Sequence, residues 1–302
     1  MGNEGTMSGS LNHAMIDDGQ AKAAQAVADR FGQPGCEDIT KVYIDQRYSG
    51  YTAENQETWQ ILFDRQMEFL ATRASNVYLS GARSIGLIRD HIPYLDGPKS
   101  INIHLQRLTG WQSKAVPGYL PAKAFFGCLA RREFPTTVVI RPKSSIDYLP
   151  QPDIFHDVFG HVPLHADPVF DFLQTYGKAA LTTDDPAHTE RLSRLFWFTV
   201  EFGLIREDGR VKLYGSGLIS SPGESKHALE SPEVDRRPFD LETVCSTSFE
   251  IDHYQPILYV LESFAQLRDA MNEYANRLLA ENERRKRNAP LPKGAAAAAT
   301  LP

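Results

Sequence analysis

The sequence predicts a predominantly α-helical protein with a few short β-strands, folded as a single domain. Apolar residues recur at helical spacing through most of the interior, whereas strand-forming runs are few and short. No repeat of fixed period and no linker-like composition divides the chain. With 302 residues, 42% hydrophobic and 23% charged, the chain is long enough to bury a sizeable core.

Both ends of the chain are predicted to be poorly ordered. Residues 1–37 are rich in Gly, Asn, Ser and Asp and show little apolar periodicity. The stretch ERRKRNAPLPKGAAAAATLP, residues 283–302, is basic and then rich in Pro and Ala, which is typical of a disordered tail. The folded, functional domain is therefore predicted to span residues 38–282.

The clearest helix lies in YTAENQETWQILFDRQMEFLATRA. Thr52 is a good N-cap residue, and Glu54 in the first turn suits the positive end of the helix dipole. Apolar side chains then recur three or four positions apart along one face, namely Trp59, Leu62, Phe63, Met67 and Leu70. This pattern predicts a long amphipathic helix.

The remaining elements are shorter, and Pro, Gly or Asx residues stand at most of their junctions. Helical spacing predicts further helices at residues 75–92, 99–109, 168–181, 187–204 and 256–282. Two strands are predicted, TTVVIRP at residues 136–142 and RVKLYG at residues 210–215.

Charge and composition exclude several classes of function. A formal net charge of −6 leaves no basic face for nucleic acid, so a small or neutral substrate is favoured. No apolar run approaches the roughly 18 residues of a membrane span, and no signal pattern opens the chain, so a cytoplasmic location is predicted. Cys36, Cys128 and Cys245 are odd in number and lack a C-x-x-C spacing, which indicates packed thiols.

Three histidines fall within the otherwise largely apolar stretch PDIFHDVFGHVPLHADP. On a straight α-helix, His156 and His161 would lie about 140° apart, whereas His161 and His165 would share a face. Pro163 opposes a helix through the second pair, while Gly160 can relax the backbone and bring the first pair together. Spacing alone leaves both pairs open as metal ligands.

Glu201 is the most unusual carboxylate, because apolar residues surround it on every side of a helix in RLFWFTVEFGLI. An unpaired carboxylate there would be costly, so Glu201 is predicted to be protonated, ion-paired with a buried Arg or bound to a metal. Two histidines and one carboxylate form the facial triad that binds non-haem Fe(II). The lack of H-E-x-x-H and of a cysteine ligand pattern counts against a zinc hydrolase.

Longer motifs resemble one family in order and spacing. The segments are IPYLDGPKSINIHLQRLTGW, PDIFHDVFGHVPL, FWFTVEFGL, YGSGLISSPGE and YQPILYVLESF. They are similar to the signature segments of the pterin-dependent aromatic amino acid hydroxylases, in particular the short bacterial phenylalanine 4-monooxygenases. The resemblance extends from about Tyr51 to Arg277, and it implies that residues 38–282 form the single-domain catalytic fold of that family.

The resemblance implies that His156, His161 and Glu201 are the iron ligands, which leaves His165 outside the set. It places Arg141 on the substrate carboxylate, whose planar shape a guanidinium matches, and Ser220 on a ligating histidine. The substrate pocket that it implies has Phe134, Pro152 and Trp197 around the ring, with Gly217 and Ser220 beside the amino acid backbone.

For the cofactor, the resemblance implies that Phe125 stacks on the pterin ring. The loop of Gly118, Tyr119 and Leu120 would meet the pterin edge through backbone groups. The resemblance implies that Asp157, which stands where many relatives have Glu, would face the pterin through water. Two further departures, Phe196 and Leu149, stand where the mammalian enzymes carry Tyr and Thr, which leaves cofactor affinity and coupling open.

The activity that the resemblance implies is hydroxylation of L-phenylalanine to L-tyrosine by O2. Fe(II) and tetrahydrobiopterin, or a related reduced pterin, would be the cofactors, and an Fe(IV)-oxo species would attack the ring. Trp197 stands where tryptophan hydroxylases usually have Phe, and Ile251 stands where tyrosine hydroxylases tend to have Asp. Phenylalanine is therefore favoured as the substrate.

Alternative functions are a tryptophan or tyrosine hydroxylase of the same family, a zinc-dependent hydrolase with the same His/His/Glu site, and a binding protein without turnover. The expected partners are L-phenylalanine, O2 and the pterin, without nucleic acid or membrane. The residues before the first family-like segment are few and polar, so no regulatory domain is expected there. No heptad repeat follows the last such segment, so a monomer is expected.

Overall fold

The computed structural model describes residues 14–147, 151–251 and 253–288, and it confirms the predicted fold class. Within these ranges the α-helices are α1 (Asp18–Ala28), α2 (Ala53–Leu70), α3 (Asn76–Ser84), α4 (Ile101–Leu108), α5 (Ala122–Leu129), α6 (Phe172–Ala180), α7 (Pro186–Phe196), α8 (Ser216–Ser220), α9 (Pro222–Glu230), α10 (Leu241–Ser246) and α11 (Phe264–Asn288). None of the helices in this part of the chain is both long enough and apolar enough to cross a bilayer.

The strands form two small sheets. In the first, β1 (Gln112–Val116) pairs in parallel with β2 (Glu133–Thr137), and α5 supplies the crossover that parallel strands need. The second has the order β4-β3-β6-β5, and its strands are β3 (Leu204–Glu207), β4 (Arg210–Leu213), β5 (Asp235–Pro238) and β6 (Ile257–Leu261). β3 pairs antiparallel with β4 and parallel with β6.

Two π-helical segments interrupt the α-helical interior, π1 (Phe155–His161) and π2 (Trp197–Glu201). In π1 the N–H of Val162 donates to the carbonyl of Asp157, five residues earlier, and the end of π2 is bonded in the same way. A π-helical turn is rare and is found frequently at functional sites. Both segments carry residues that the sequence predicted to bind a metal.

Helix α2 forms as predicted and supports π1. Thr52 accepts from the N–H of Asn55, whose side chain accepts from the N–H of Thr52, and this reciprocal capping box begins the helix. The apolar stripe of α2 faces the core, where Trp59 and Leu62 are fully buried. The indole of Trp59 contacts the ring of Phe155 edge-on at 5.4 Å, so α2 packs directly against the start of π1.

Some predicted boundaries are wrong for local reasons. The helix predicted over residues 75–92 ends at Ser84, because the chain turns at Gly86 with φ 69°. The segment 256–282 begins with strand β6, whose buried apolar run is paired on both sides before α11 starts. The strand predicted at 136–142 lies earlier, as β2, whereas the strand predicted at 210–215 is confirmed as β4.

The prediction of poor order over residues 1–37 is wrong for residues 14–37. Asp17 caps α1, whose Ala24 faces the core, and Met15 is 1% exposed. The N–H of Arg47 donates to the carbonyl of Met15 at 3.0 Å, a contact between residues far apart in sequence that the local pattern could not indicate. Residues 1–13 lie outside the described part of the chain.

At the other end, α11 continues to Asn288, beyond the predicted start of the tail at residue 283. The ion pair of Arg285 with Asp185, at 3.2 Å, joins the last turns of α11 to the cap of α7. Residues 289–302 lie outside the described residues.

Candidate active site

Three side chains that the sequence singled out meet in the interior. His156 and His161 come from π1, and Glu201 ends π2. One nitrogen or oxygen atom from each lies within 4.8 Å of the others. Nε2 of His161 is 3.0 Å from Oε1 of Glu201, and Nε2 of His156 is 3.7 Å from Oε2. We call these three residues the triad.

The π-helix explains how two histidines five positions apart share one face. In a helix bonded from i to i+5, residue i+5 follows about one turn after residue i, so the two imidazoles come together. Their ring centroids are 5.0 Å apart. Gly160 allows π1 to approach α8, since a Cβ atom there would lie 2.8 Å from the carbonyl oxygen of Ser216.

Ser220 determines the tautomer of His156. The Ser220 hydroxyl donates its single hydrogen to the carbonyl of Ser216 at 2.8 Å. It must therefore accept from Nδ1–H of His156, which is also 2.8 Å away. Nε2 of His156 then carries the lone pair, as in a metal-ligating imidazole whose other nitrogen is held by a second residue. Burial lowers the pKa of His156 to about 4, so the ring is neutral at pH 7.

Glu201 is ionised in these surroundings. Burial opposes its ionisation, but His161, His156 and the backbone N–H of Gly217 outweigh this effect and hold the pKa of Glu201 below its ordinary value. Donor atoms that share one ion at bond lengths of about 2.1 Å lie roughly 3–4 Å apart, and both measured separations fall in this range. Two imidazoles and one carboxylate form a donor set that suits a divalent transition-metal ion.

His165 does not join the triad. Its Nδ1 hydrogen bonds to the carbonyl of His161 at 3.0 Å, and its ring lies 4.5 Å from Trp111 and 5.0 Å from Phe134. The turn Val162–Ala166 is a 3-10 helix, so the i,i+4 alignment of an α-helix is lost. Burial lowers the pKa of His165 to about 3, which keeps this ring neutral as well.

The triad lines a mostly apolar cleft of about 370 Å³ that has several aromatic walls. Phe125 contacts Phe134 and Phe196 edge-on, with ring centroids 6.2 and 5.2 Å away. The ring of Phe134 lies 4.5 Å from that of His161, so an aromatic wall continues to the triad. Further predicted residues that line the cleft are Gly118, Tyr119, Leu120, Pro152, Asp157 and Trp197.

Trp197 is held in one orientation by two rings and one amide. Its indole stacks on Phe249 at 4.4 Å and contacts Phe202 at 4.5 Å. Its Nε1–H donates to Oε1 of Gln255 at 3.0 Å. Gln255 is 2% exposed, and its own amide nitrogen donates to the carbonyl of Glu250 at 2.8 Å. A flipped indole would leave its N–H among apolar rings without this acceptor.

Arg141 is 7% exposed and lies outside the lining of the cleft, as do Gly217 and Ser220. Its Nε and Nη2 donate to the two oxygens of Asp153 at 2.8 and 2.9 Å. Burial opposes ionisation of Asp153, but this ion pair outweighs it and lowers the pKa of the carboxyl. Asp153 also accepts from the N–H of His156 at 3.0 Å, so one carboxylate joins Arg141 to π1.

Asp157 accepts from the backbone N–H of Thr137 at 2.6 Å, which ties π1 to the end of β2. Burial raises the pKa of Asp157 to about 7, so both protonation states are present near neutral pH. Phe196, a departure from the mammalian sequences, lines the cleft with its ring 6.2 Å from that of His161. The other departure, Leu149, lies outside the described residues.

Residues 41–285 match the family model of the biopterin-dependent aromatic amino acid hydroxylases. The chain belongs to this family. The matched range contains π1, π2 and the whole lining of the cleft, so the predicted family resemblance is confirmed for the part of the hydroxylase that holds the triad.

Bacterial relatives of the hydroxylase cover most of its length. A phenylalanine-4-hydroxylase of Ralstonia nicotianae is 42% identical over 228 residues, which cover 75% of this chain and 72% of that protein. One of Pseudomonas aeruginosa is 38% identical over 255 residues, with 83% and 95% covered. The crystal structure of Chromobacterium violaceum phenylalanine hydroxylase with bound iron(III) and 7,8-dihydrobiopterin has a TM-score of 0.75 at 38% identity, with 81% of this chain and 88% of that chain covered.

The sequence alone did not reveal Thr137, Phe249 and Gln255 as parts of the hydroxylase site. Thr137 and Phe249 line the cleft, and Gln255 supports Trp197. Thr137 ends a strand and the other two lie in a loop, so none has a periodic pattern that marks it. The one available signal was Gln255 itself, a polar residue directly before the apolar run that forms β6.

Proposed function

We propose that this hydroxylase converts L-phenylalanine to L-tyrosine with O2, Fe(II) and a reduced pterin such as tetrahydrobiopterin. The observation that carries the proposal is the meeting of His156, His161 and Glu201 in an aromatic cleft. Family membership supports the pterin, and the two relatives with 42% and 38% identity are named for phenylalanine hydroxylation.

His156, His161 and Glu201 would hold the iron. Two imidazole nitrogens and one carboxylate are the ligand set of the non-haem Fe(II) facial triad, which leaves further coordination positions free for other ligands. When bound, the iron and the reduced pterin supply the activation of O2 and the electrons that this requires. The protein holds the ligand tautomers, orients the substrate ring and excludes water with its apolar walls.

Arg141 would bind the substrate carboxylate. Asp153 holds two of its guanidinium nitrogens and thereby fixes the plane of the group. Its Nη1 is 3.4 Å from the carbonyl of Ile146, a long contact, so this nitrogen can donate to a carboxylate. Gly217 and Ser220 would lie beside the amino acid backbone, as the family resemblance implies.

The cleft offers separate walls to the substrate and the pterin. Phe134, Pro152 and Trp197 would surround the phenylalanine ring, and the indole of Trp197 narrows this space against a two-ring substrate. Phe125 would stack on the pterin, and the backbone of Gly118, Tyr119 and Leu120 would bond its edge. Asp157 would hold a water against the pterin in either protonation state.

The proposal is tested by tyrosine formation in the purified protein with Fe(II), tetrahydrobiopterin and air. We expect tyrosine from phenylalanine with Fe(II), none when Zn(II) replaces it, and much slower hydroxylation of tryptophan and tyrosine. Glu201→Ala should abolish hydroxylation with an unchanged far-ultraviolet circular dichroism spectrum. Activity with zinc alone, hydrolysis without O2, or an active Glu201→Ala variant would contradict the proposal.

We also propose that the hydroxylase is a monomer in the cytoplasm. Its catalytic domain would include α1 in addition to residues 38–282. Light scattering on the purified chain should then give a mass near 33.8 kDa. A mass of twice that value at micromolar concentration would contradict the monomer.

A further inference from the structure

The carbonyl of Phe159 lacks a donor that an α-helix would provide. In an α-helix this carbonyl would accept from the N–H of residue 163, but that residue is proline and has no N–H. The chain leaves π1 at His161 and continues as the 3-10 turn Val162–Ala166. A buried carbonyl at this point needs a partner from elsewhere in the molecule.

Tyr78 of α3 provides this partner. Its hydroxyl donates to the carbonyl of Phe159 at 2.9 Å, and its side chain is fully buried. The Tyr78 ring also packs on the ring of Phe159, with centroids 6.1 Å apart. One residue from another helix therefore binds the backbone of π1 two positions before the ligand His161.

Helix α3 is fixed against the turn that follows π1. At its start, the N–H of Ser75 donates to the carbonyl of Leu213 in β4 at 2.8 Å. Near its end, a Cβ atom on Gly81 would lie 1.9 Å from the carbonyl oxygen of Pro163, so the two backbones are in direct contact. The hydroxyl of Tyr78 is thus held at a defined position relative to π1.

We propose that Tyr78 is a positioning residue that keeps π1 in its π-helical form, so that His156 and His161 share one face. Without this hydrogen bond the Phe159 carbonyl is free to turn, and an α-helical register would separate the two imidazoles by about 140°. Tyr78 touches neither substrate nor metal, and it acts through the geometry of His161. This inference rests on the proposed function, because it requires a metal at the triad.

The test measures metal affinity, with stability measured separately. The full-length protein is stripped with a chelator and titrated with Co(II), monitored by calorimetry and by the visible absorption of the bound ion. Tyr78→Phe should bind Co(II) roughly tenfold or more weakly than wild type. The matched control is Tyr259→Phe, which also removes a buried tyrosine hydroxyl, here one bonded to Thr247 at 2.7 Å, and should bind within about twofold of wild type.

Replacement of Tyr78 by 4-aminophenylalanine keeps a donor at the same place and should restore most of the affinity. If Tyr78→Phe folds poorly, the Co(II) affinity of this variant can still be compared with that of wild type. Wild-type affinity in Tyr78→Phe, an equal loss in Tyr259→Phe, or no rescue by the amino variant would overturn the inference while leaving the proposed function intact. If wild type binds Co(II) no better than Glu201→Ala does, the proposed function fails and the inference falls with it.

Discussion

Ser220 and Gln255 each hold a side chain that lines the cleft, and Asp153 holds Arg141 outside its lining; none of the three supports lines the cleft itself. Ser220 directs the ring of His156, Gln255 directs the indole of Trp197, and Asp153 directs Arg141. All three supports are buried, so removing one leaves a polar partner without its hydrogen bond in a site that water does not reach freely.

Ser220→Ala should weaken Co(II) or Fe(II) binding by roughly tenfold or more, since Nδ1–H of His156 loses its acceptor and the ring loses its orientation. Titration calorimetry on the chelator-treated protein measures this. Ser221→Ala, which removes only the side-chain cap of α9, should keep the wild-type affinity. Equal affinities for Ser220→Ala and wild type would show that His156 is oriented by other contacts.

Gln255→Leu should raise the KM for phenylalanine severalfold with a smaller change in kcat, because it leaves the indole N–H of Trp197 unpaired at a cost of about 1–3 kcal/mol. The variant should also accept tryptophan relatively better, since the wall is no longer fixed. Gln255→Glu keeps an acceptor for the indole N–H, so its KM for phenylalanine should lie between those of wild type and Gln255→Leu. Steady-state kinetics with both amino acids measures this, and unchanged parameters in Gln255→Leu would count against the role of Gln255.

At the scale of secondary structure, the π-helices π1 and π2 could not be predicted, although the residues in them could. Helical spacing of apolar residues identified the segment of α7 and π2 correctly as helical. It had no means to distinguish i+4 from i+5 bonding, since that choice depends on contacts with α3, α8 and β2. The hypothesis that Gly160 lets the two histidines approach each other correctly placed a helix irregularity between His156 and His161. It did not predict that this irregularity is a π-helix.

Gly160→Ala should reduce stability by on the order of 1–3 kcal/mol, because the new methyl group meets the backbone of Ser216 at 2.8 Å and must separate π1 from α8. Chemical denaturation of the metal-free protein measures the change. Gly118→Ala is the matched control, since a Cβ atom there has no neighbour within 4 Å, and it should unfold as wild type does. If Gly160→Ala had the same free energy of unfolding as wild type, π1 and α8 could separate at this contact without cost.

At the scale of the whole molecule, the contribution of His165 to stability without metal should fall on acidification. The pKa of His165 is about 3 in the folded chain and near 6.5 in the unfolded chain. Between these values His165 binds one more proton in the unfolded state than in the folded state, so its contribution to the free energy of unfolding rises with pH and is lost as pH falls from 6.5 toward 3.

Replacing this histidine by an aromatic residue tests the prediction. His165→Phe should lower the slope of the free energy of unfolding against pH by about 1.4 kcal/mol per unit between pH 4 and 6. Urea unfolding at a series of pH values in a chelator gives the slope. A slope equal to that of wild type would show that His165 is protonated alike in both states.

The amino-acid sequence by itself determined the fold class, most helices and the residues able to bind a cation. Those features follow from local periodicity, from the cost of burying Glu201 without a partner, and from the family resemblance that selected His156 and His161 over His165. The order of residues 14–37, the pairing of β6 and the bonding of π1 were decided by the tertiary structure. Each depends on contacts between residues far apart in sequence, and the donor that Tyr78 brings to Phe159 across 81 positions leaves no trace in the pattern around either residue.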